Sequence, residues 1–467
     1  MTKFHPTKSL NMNRISAIFP EAQHFVSNSK EHVRFEFSSS HPPIARVDEG
    51  DLVHVETIDC FYGKIRPDTL FSWEEQKQKT RAQKLSGEDN GSNNSDHFQP
   101  KNDGNKCNKN ESRGGTYLNG SILDEIPRSQ RNPVTGPIYV NGARPGDVLA
   151  VTLLDIRPKG IGVSCCGSWG GQLSCWMTDD SATLRFFDLS QCRSIVTMRD
   201  VESKEGNEIG SENESKKRGS MLRSGSMPPR RKRIGPIAFP ASPMLGVIGV
   251  APSSKEEDPI GTIPAGKHGG NLDNTANGIG STIYIPIHHP GGLLSMGDMH
   301  ASQGDGEIAG SGVEIGGDVL LRCKILRHED LYGSSFEESN HKNNAGEEGN
   351  NATPNGGFPW KLEYPVTETP THWITHGVVV CDIPQTTSIA CQEAAKILIG
   401  QWGFSPEEAF IFLGVRGDLG LCQACHPDKG TQIAKMSVPK LDRLCPRAFK
   451  VLISSESKSI EGNETYS

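Results

Sequence analysis

Residues 146–156 read GDVLAVTLLDI, a Gly-Asp turn followed at once by a run of strand-forming side chains. The same entry recurs as Gly50-Asp51 before LVHVETI and as Gly317-Asp318 before VLLRCKIL. Glycine and aspartate favour tight turns, and alternation with a period near two marks a half-buried strand. Val53, Val55 and Thr57 interleave with Leu52, His54, Glu56 and Ile58 in this way, as Val33, Phe35 and Phe37 do with polar neighbours upstream. Three turn-to-strand entries predict a mainly β architecture of sandwich or barrel-like sheets. Three short matches do not amount to a sequence repeat.

Working outward, the period changes near the C-terminus. IACQEAAKILIGQW (389–402) is rich in helix formers, and Gly403 supplies a stop. Ser405-Pro406-Glu407-Glu408 then fits a capping box with proline at the first helical position, opening a second helix through Ala409, Phe410 and Phe412. A small C-terminal α/β element follows, whose helices are expected to pack on a sheet. Residues 76–118, 201–233 and 333–357 are polar and nearly free of large apolar side chains, so they cannot recover the entropy lost on ordering. They are expected to be three long disordered insertions. The chain then divides into a flexible lead (1–20), an N-terminal β-rich half (21–200) carrying the first insertion, and the basic insertion at 201–233. A central β region (234–332), the insertion at 333–357, the C-terminal α/β element (358–453) and a flexible tail (454–467) complete it.

Composition narrows the function. With 34% hydrophobic residues, 51 glycines and 30 prolines among 467 residues, the folded part is smaller than the chain. A net charge of −7 gives no general electrostatic reason to expect a nucleic-acid partner. Arg230, Arg231, Lys232 and Arg233 form a local basic run, read as a solvated charge cluster in preference to a nuclear-import signal. No window approaches the apolar length of a membrane span, and the N-terminal residues lack the apolar core of a signal peptide. No membrane partner is expected, and a cytoplasmic protein follows, its 12 scattered cysteines reading as reduced thiols.

Chemistry concentrates in residues 266–314, where His268, Asp273, Asp298, His300, Asp305 and Glu307 sit between glycines. Asp298 and His300 are two residues apart, as are Asp305 and Glu307, and i and i+2 of extended chain point the same way. Each pair is expected to converge on one ion, with His268 approaching from a separate loop. Histidine and carboxylates together suit zinc or a similar divalent ion holding a water of lowered pKa. The competing account is that these side chains cap turns, as Asp305-Gly306 alone would. Between the polar runs, Ile283, Ile285 and Ile287 mark a strand joining the two loops. Cys422-Gln423-Ala424-Cys425-His426 fits a c-type haem attachment pattern but is short enough to arise by chance.

KHGGNLDN (267–274), followed by GSTIYIPIHHPGGLLSMGDMHASQGDGE (280–307), resembles two central motifs of the acetamidase/formamidase family. NPVTGPIYVNGARPGDVLAVTLLDI, DCFYGKI and GVIGVAPS resemble its N-terminal half, and LGLCQACHPDKGTQIAKMSVPK its C-terminal end. The resemblance implies hydrolysis of a short linear amide to carboxylate and ammonia, on a β-rich fold, in a homo-oligomer. It implies a metal-dependent site drawn from Asp298, His300, Asp305 and Glu307, with His268 and Asp273 from the preceding loop. Asp59 is a further candidate from the other sheet. Where the family continues with DGQ, this chain has Phe61-Tyr62-Gly63-Lys64, which bears on substrate preference.

The expected division of labour places a divalent ion, zinc with calcium as the alternative, on His268, Asp298 and His300. Glu307 moves the proton, with Asp59 and Asp305 as further catalytic candidates. Asp273 and the glycine-rich turn at Gly269 and Gly270 receive the substrate. Cys60, beside Asp59, is the nucleophile in a thiol alternative. A non-catalytic metal- or small-ligand-binding protein on the same fold is the competing function.

Overall fold

The structure is a computed structural model describing residues 17–70, 122–167, 171–174, 183–190, 194–198, 237–253, 258–328, 362–425 and 430–441. The three insertions, the basic run Arg230 to Arg233, His426 and the tail lie outside the described residues, as does all but the end of the lead.

Two large sheets face each other. The first has nine strands in the order His24–Val26, Leu52–Thr57, Gly317–Leu326, Val148–Pro158, Thr282–Pro286, Val366–Glu368, His372–Val380, Thr431–Pro439 and Asp418–Gln423. All neighbouring pairs are antiparallel except the first, which is parallel. The second runs Ala265–Gly266, Gly269–Asn271, Met244–Gly249, Leu294–His300, Val134–Val140 and Val33–Arg34, with Ala45–Val47 also pairing Val134–Val140. A four-stranded sheet (Ile161–Cys166, Thr183–Asp188, Ile195–Met198, Ile237–Pro240) and a two-stranded ribbon complete the strands. Val53, Leu149, Val151, Ile283, Ile285 and Leu321 of the first sheet meet Ile138, Leu245, Ile248, Leu294 and Met296 of the second in one apolar core. That burial of two alternating faces is what holds a sandwich together.

The three Gly-Asp strands turn out to be consecutive neighbours in the nine-stranded sheet. Two of their entries are the predicted turns, with Gly50 at φ +92 and Gly146 at φ +95. The third is not a turn. Gly317-Asp318 already belongs to its strand, and the glycine is there because a Cβ would stand 2.3 Å from the Arg157 carbonyl oxygen. Asp318 is buried and accepts from His54 Nε2 at 2.9 Å and Lys159 Nζ at 2.7 Å, so its charge is paired inside the sheet.

The C-terminal element is as predicted. The helix Ile383–Trp402 ends at Gly403, whose φ of 69 is the left-handed cap glycine tolerates. The helix Pro406–Arg416 opens on Ser405, whose side chain accepts from the Glu408 amide while Glu408 accepts from the Ser405 amide. The longer helix lies on His372–Val380, with the Thr386 carbonyl so near Gly377 that no Cβ would fit. No described helix is long and apolar enough to cross a membrane.

Candidate active site

The Leu294–His300 strand lies in the middle of the second sheet, between Met244–Gly249 and Val134–Val140. Every one of its residues is buried, yet its sequence, LSMGDMH, contains an acid and a base. Leu294, Met296 and Met299 all join the apolar core, so the alternation slips by one residue at Asp298 and carries Asp298 and His300 to the opposite face, which a regular period of two does not do. Asp298 adopts a left-handed φ of 51, uncommon for a non-glycine residue.

Around His300 the fold gathers four buried carboxylates. His300 Nε2 is 2.9 Å from Glu314 Oε2 and 3.6 Å from Asp298 Oδ1. Asp273, His300 and Glu307 each bring a ligand atom within 4.8 Å of the others, and Cys60, Asp298 and Glu314 do the same. Glu314 is fixed by backbone bridges to both His300 and Val163, and its Oε1 accepts from the Gly312 amide at 3.0 Å. Asn132, itself at φ 51, donates to Asp298 Oδ2 at 3.0 Å. Gln423 donates from Nε2 to Asp273 Oδ2 at 2.6 Å and, at 3.5 Å, to Glu307 Oε2. The Cys425 thiol stands 3.9 Å from the same Glu307 oxygen.

Gly246 leaves room for this. A Cβ there would lie 2.7 Å from Asp273 Oδ1 and 2.8 Å from Asp298 Oδ2, so one carboxylate from a loop and one from a strand share the space beside one glycine. Asp273 Oδ1 and Asp298 Oδ1 are buried without a hydrogen-bond partner.

Four acids in a dry interior repel one another, and their protonation follows. Burial, reinforced by Asp298, raises Asp273 to about 8. Burial and the Asp273 charge hold Glu307 well above the usual carboxyl range. Glu314 rises to about 7, again through burial, partly offset by His300. For His300 burial alone would lower the pKa, but Glu314 and Asp298 override it and push the imidazole well above its ordinary value. The Cys60 thiol is driven well above its usual value by burial and by Glu314 and Asp298, which leaves it a protonated, poor nucleophile.

The residues expected from sequence divide into two groups. Asp273, Asp298, His300 and Glu307 come together. Asp59 lies beside the cluster in sequence with Cys60, but Phe61 and Gly63 amides donate to its Oδ1 at 3.0 Å and Arg66 reaches its Oδ2 at 3.0 Å. It organises its own loop; burial raises its carboxyl against the pull of Arg66. Asp305 faces outward, held by Thr275 at 2.7 Å and Lys435 Nζ at 2.6 Å. The i, i+2 convergence expected of Asp305 and Glu307 fails because Gly306 (φ 86) and Glu307 (φ 42) turn the chain between them.

His268 is fully buried, packs edge-on against Phe37 at 5.2 Å between centroids, and belongs to neither donor set. Gly269 and Gly270 pair with Gly249 and Ile248 in the sheet, and both have left-handed φ. A Cβ on Gly269 would meet the Ile248 carbonyl at 2.3 Å, so this turn is shaped by strand packing. Sequence reasoning omitted Asn132, Gln423 and Gly246 from the site. Gln423 sits inside the C-x-x-C-H match, between the two cysteines that define it.

The sequence profile of the acetamidase/formamidase family matches residues 123–417. An acetamidase from Mycolicibacterium smegmatis is 28% identical over 320 residues, 60% of this chain and 72% of that protein. A formamidase from Methylophilus methylotrophus is 28% identical over 233 residues, 46% of this chain and 56% of that one, so the match spans little more than half of that relative. The crystal structure of an acetamidase from Bacillus halodurans superposes with a TM-score of 0.57 at 26% identity, covering 89% of this chain and 97% of the other. A motif-bearing core of this extent, on the same fold, establishes that the chain belongs to the acetamidase/formamidase family.

Proposed function

We propose that this chain hydrolyses the C–N bond of a short linear amide such as formamide or acetamide, giving the carboxylate and ammonia. Family membership supports the reaction class. The observation that carries the site is the gathering of Asp273, Asp298, Glu307 and Glu314 about His300 away from water.

One imidazole and four carboxylates, among them the partnerless oxygens Asp273 Oδ1 and Asp298 Oδ1, match the donor chemistry of a divalent cation. We assign Asp273, His300 and Glu307 to it in place of the His268 set, with zinc as the ion and calcium as the alternative. Such an ion supplies positive charge that polarises the amide carbonyl and eases deprotonation of water. The chain's own groups handle the protons. Amide nitrogen cannot leave as NH₂⁻, so an acid must protonate it. Without the ion, burial and mutual repulsion raise both Asp273 and Glu307; beside a bound ion both are drawn to carboxylates, so Glu307, the more exposed of the two, takes a proton from water and carries it to nitrogen. Gln423 keeps the pair together, and Glu314 orients the His300 ring. A cytoplasmic setting and a homo-oligomeric assembly belong to the same proposal; the described cysteines are all free thiols.

The test is ammonia release from formamide, acetamide and propionamide, before and after chelation and after zinc or calcium is restored. Release from none of the three defeats the amide assignment, and zinc binding without release favours the non-catalytic alternative. Turnover untouched by complete metal removal defeats the ion.

A further inference from the structure

The Cys60, Asp298 and Glu314 donors are chemically unlike the set just assigned. All three residues are buried, and one atom of each lies within 4.8 Å of the other two. Most buried cysteines are small hydrophobes with no further role. Two observations separate Cys60 from that majority. Its thiol is set against two buried carboxylates instead of apolar groups alone. In addition, Asp298 Oδ1, on a residue only 2% exposed, has no hydrogen-bond partner, His300 Nε2 standing 3.6 Å away. Arg66, on the same loop as Cys60, is committed to Asp59 at 3.0 Å. His300 stands 2.9 Å from Glu314 Oε2, so it is the Asp298 Oδ1 oxygen that is left for something else to meet.

We infer that Cys60, Asp298 and Glu314 form a second cation site, one that takes a thiophilic divalent ion such as Zn²⁺ or Cd²⁺ in preference to Ca²⁺ or Mg²⁺. Sulfur is the discriminating donor, since hard oxygen-seeking ions gain little from it. On binding, the thiol S–H bond breaks and a sulfur–metal bond forms; the proton passes to water and no oxidation state changes. The two donor sets touch: the Asp298 and Asp273 carboxylates share the space beside Gly246, so the centre is built for a pair of adjacent ions. Cys60 comes from the DCFYGKI loop and Glu314 from beyond the glycine-rich run, so the second site ties both ends of the candidate centre together.

The experiment uses the full chain, stripped of metal and titrated with Cd²⁺. Two equivalents are expected to bind, with ultraviolet sulfur-to-cadmium charge-transfer absorption. Cys60→Ser should lose one equivalent and the absorption, while Cys425→Ser keeps both. Glu307→Gln should weaken the other equivalent and leave the absorption intact. X-ray absorption of the unmutated cadmium-loaded protein should contain a sulfur neighbour, a readout that does not depend on any variant folding. Absence of that sulfur, or absorption that survives Cys60→Ser, overturns the second site. If Cys60→Ser loses the sole equivalent and Glu307→Gln loses none, the first donor set fails and this one stands.

Discussion

His300 and His376 are both fully buried, and their surroundings are opposite. His376 sits in a neutral network: its Nδ1 donates to the Pro365 carbonyl at 2.7 Å and its Nε2 accepts from Asn274 Nδ2 at 2.9 Å. Thr367 donates to Asn277 Oδ1 at 2.7 Å, tying the same loop to the first sheet. Burial lowers His376 to about 4, whereas Glu314 and Asp298 carry His300 upward against its own burial. The two environments meet at consecutive residues, since Asp273 faces one and Asn274 the other. Nearly every polar atom of the His376 network has a partner, while the His300 cluster retains charge that its own side chains do not meet. A satisfied buried network fixes position; an unsatisfied charged one is prepared for a ligand.

The strongest way to separate the two is Glu307→Gln. Ammonia release should fall by about 10²- to 10⁴-fold, the usual contribution of a positioned acid, while the thermal midpoint holds or rises because one repelling acid is gone. A large fall in the midpoint would place Glu307 with the structural network instead.

A smaller effect, on stability alone, should appear at His376. Its folded pKa lies below its ordinary value of 6.5, so the unfolded chain binds the extra proton between about 6.5 and about 4. Stability from this group is therefore complete above pH 6.5 and is lost as pH falls towards 4, by about 3 kcal/mol at most. Denaturant unfolding of His376→Gln should show a lower stability at pH 7 and a flatter slope across that window. An unchanged slope would mean the imidazole is not held neutral.

Asp305→Asn should do least. Its side chain is 51% exposed in the ion pair with Lys435, which also reaches Thr275 at 3.0 Å. Less than about 1 kcal/mol and no change in turnover are expected. A large loss of ammonia release would return Asp305 to the catalytic centre.

These contrasts mark how far local sequence reaches. Alternation over 52–58 and 283–287, the cap at Gly403 and the box at Ser405 and Glu408 are interactions among near neighbours, and they were legible as such. The period-two logic brought Asp298 and His300 together only through a left-handed Asp298 that shifts the strand's alternation. It failed for Asp305 and Glu307, where a left-handed Gly306 reverses the direction between them. Gly269 and Gly270, read as a substrate cradle, answer to the Ile248 and Pro264 carbonyls, which no local pattern contains.

The sequence by itself determined a β-rich fold with a capped helical end, the family, and the stretch in which the acids and histidines would be found. Only the tertiary structure decided which of them act together. Cys60, Asn132, Gly246, Asp298, Glu314 and Gln423 arrive from strands and loops far apart in the chain, and the packing of two sheets sets whether each carboxylate meets a lysine, a backbone amide or another acid. Side-chain charge is written in the sequence, but the dielectric and the partner that give it a pKa are properties of the assembled fold.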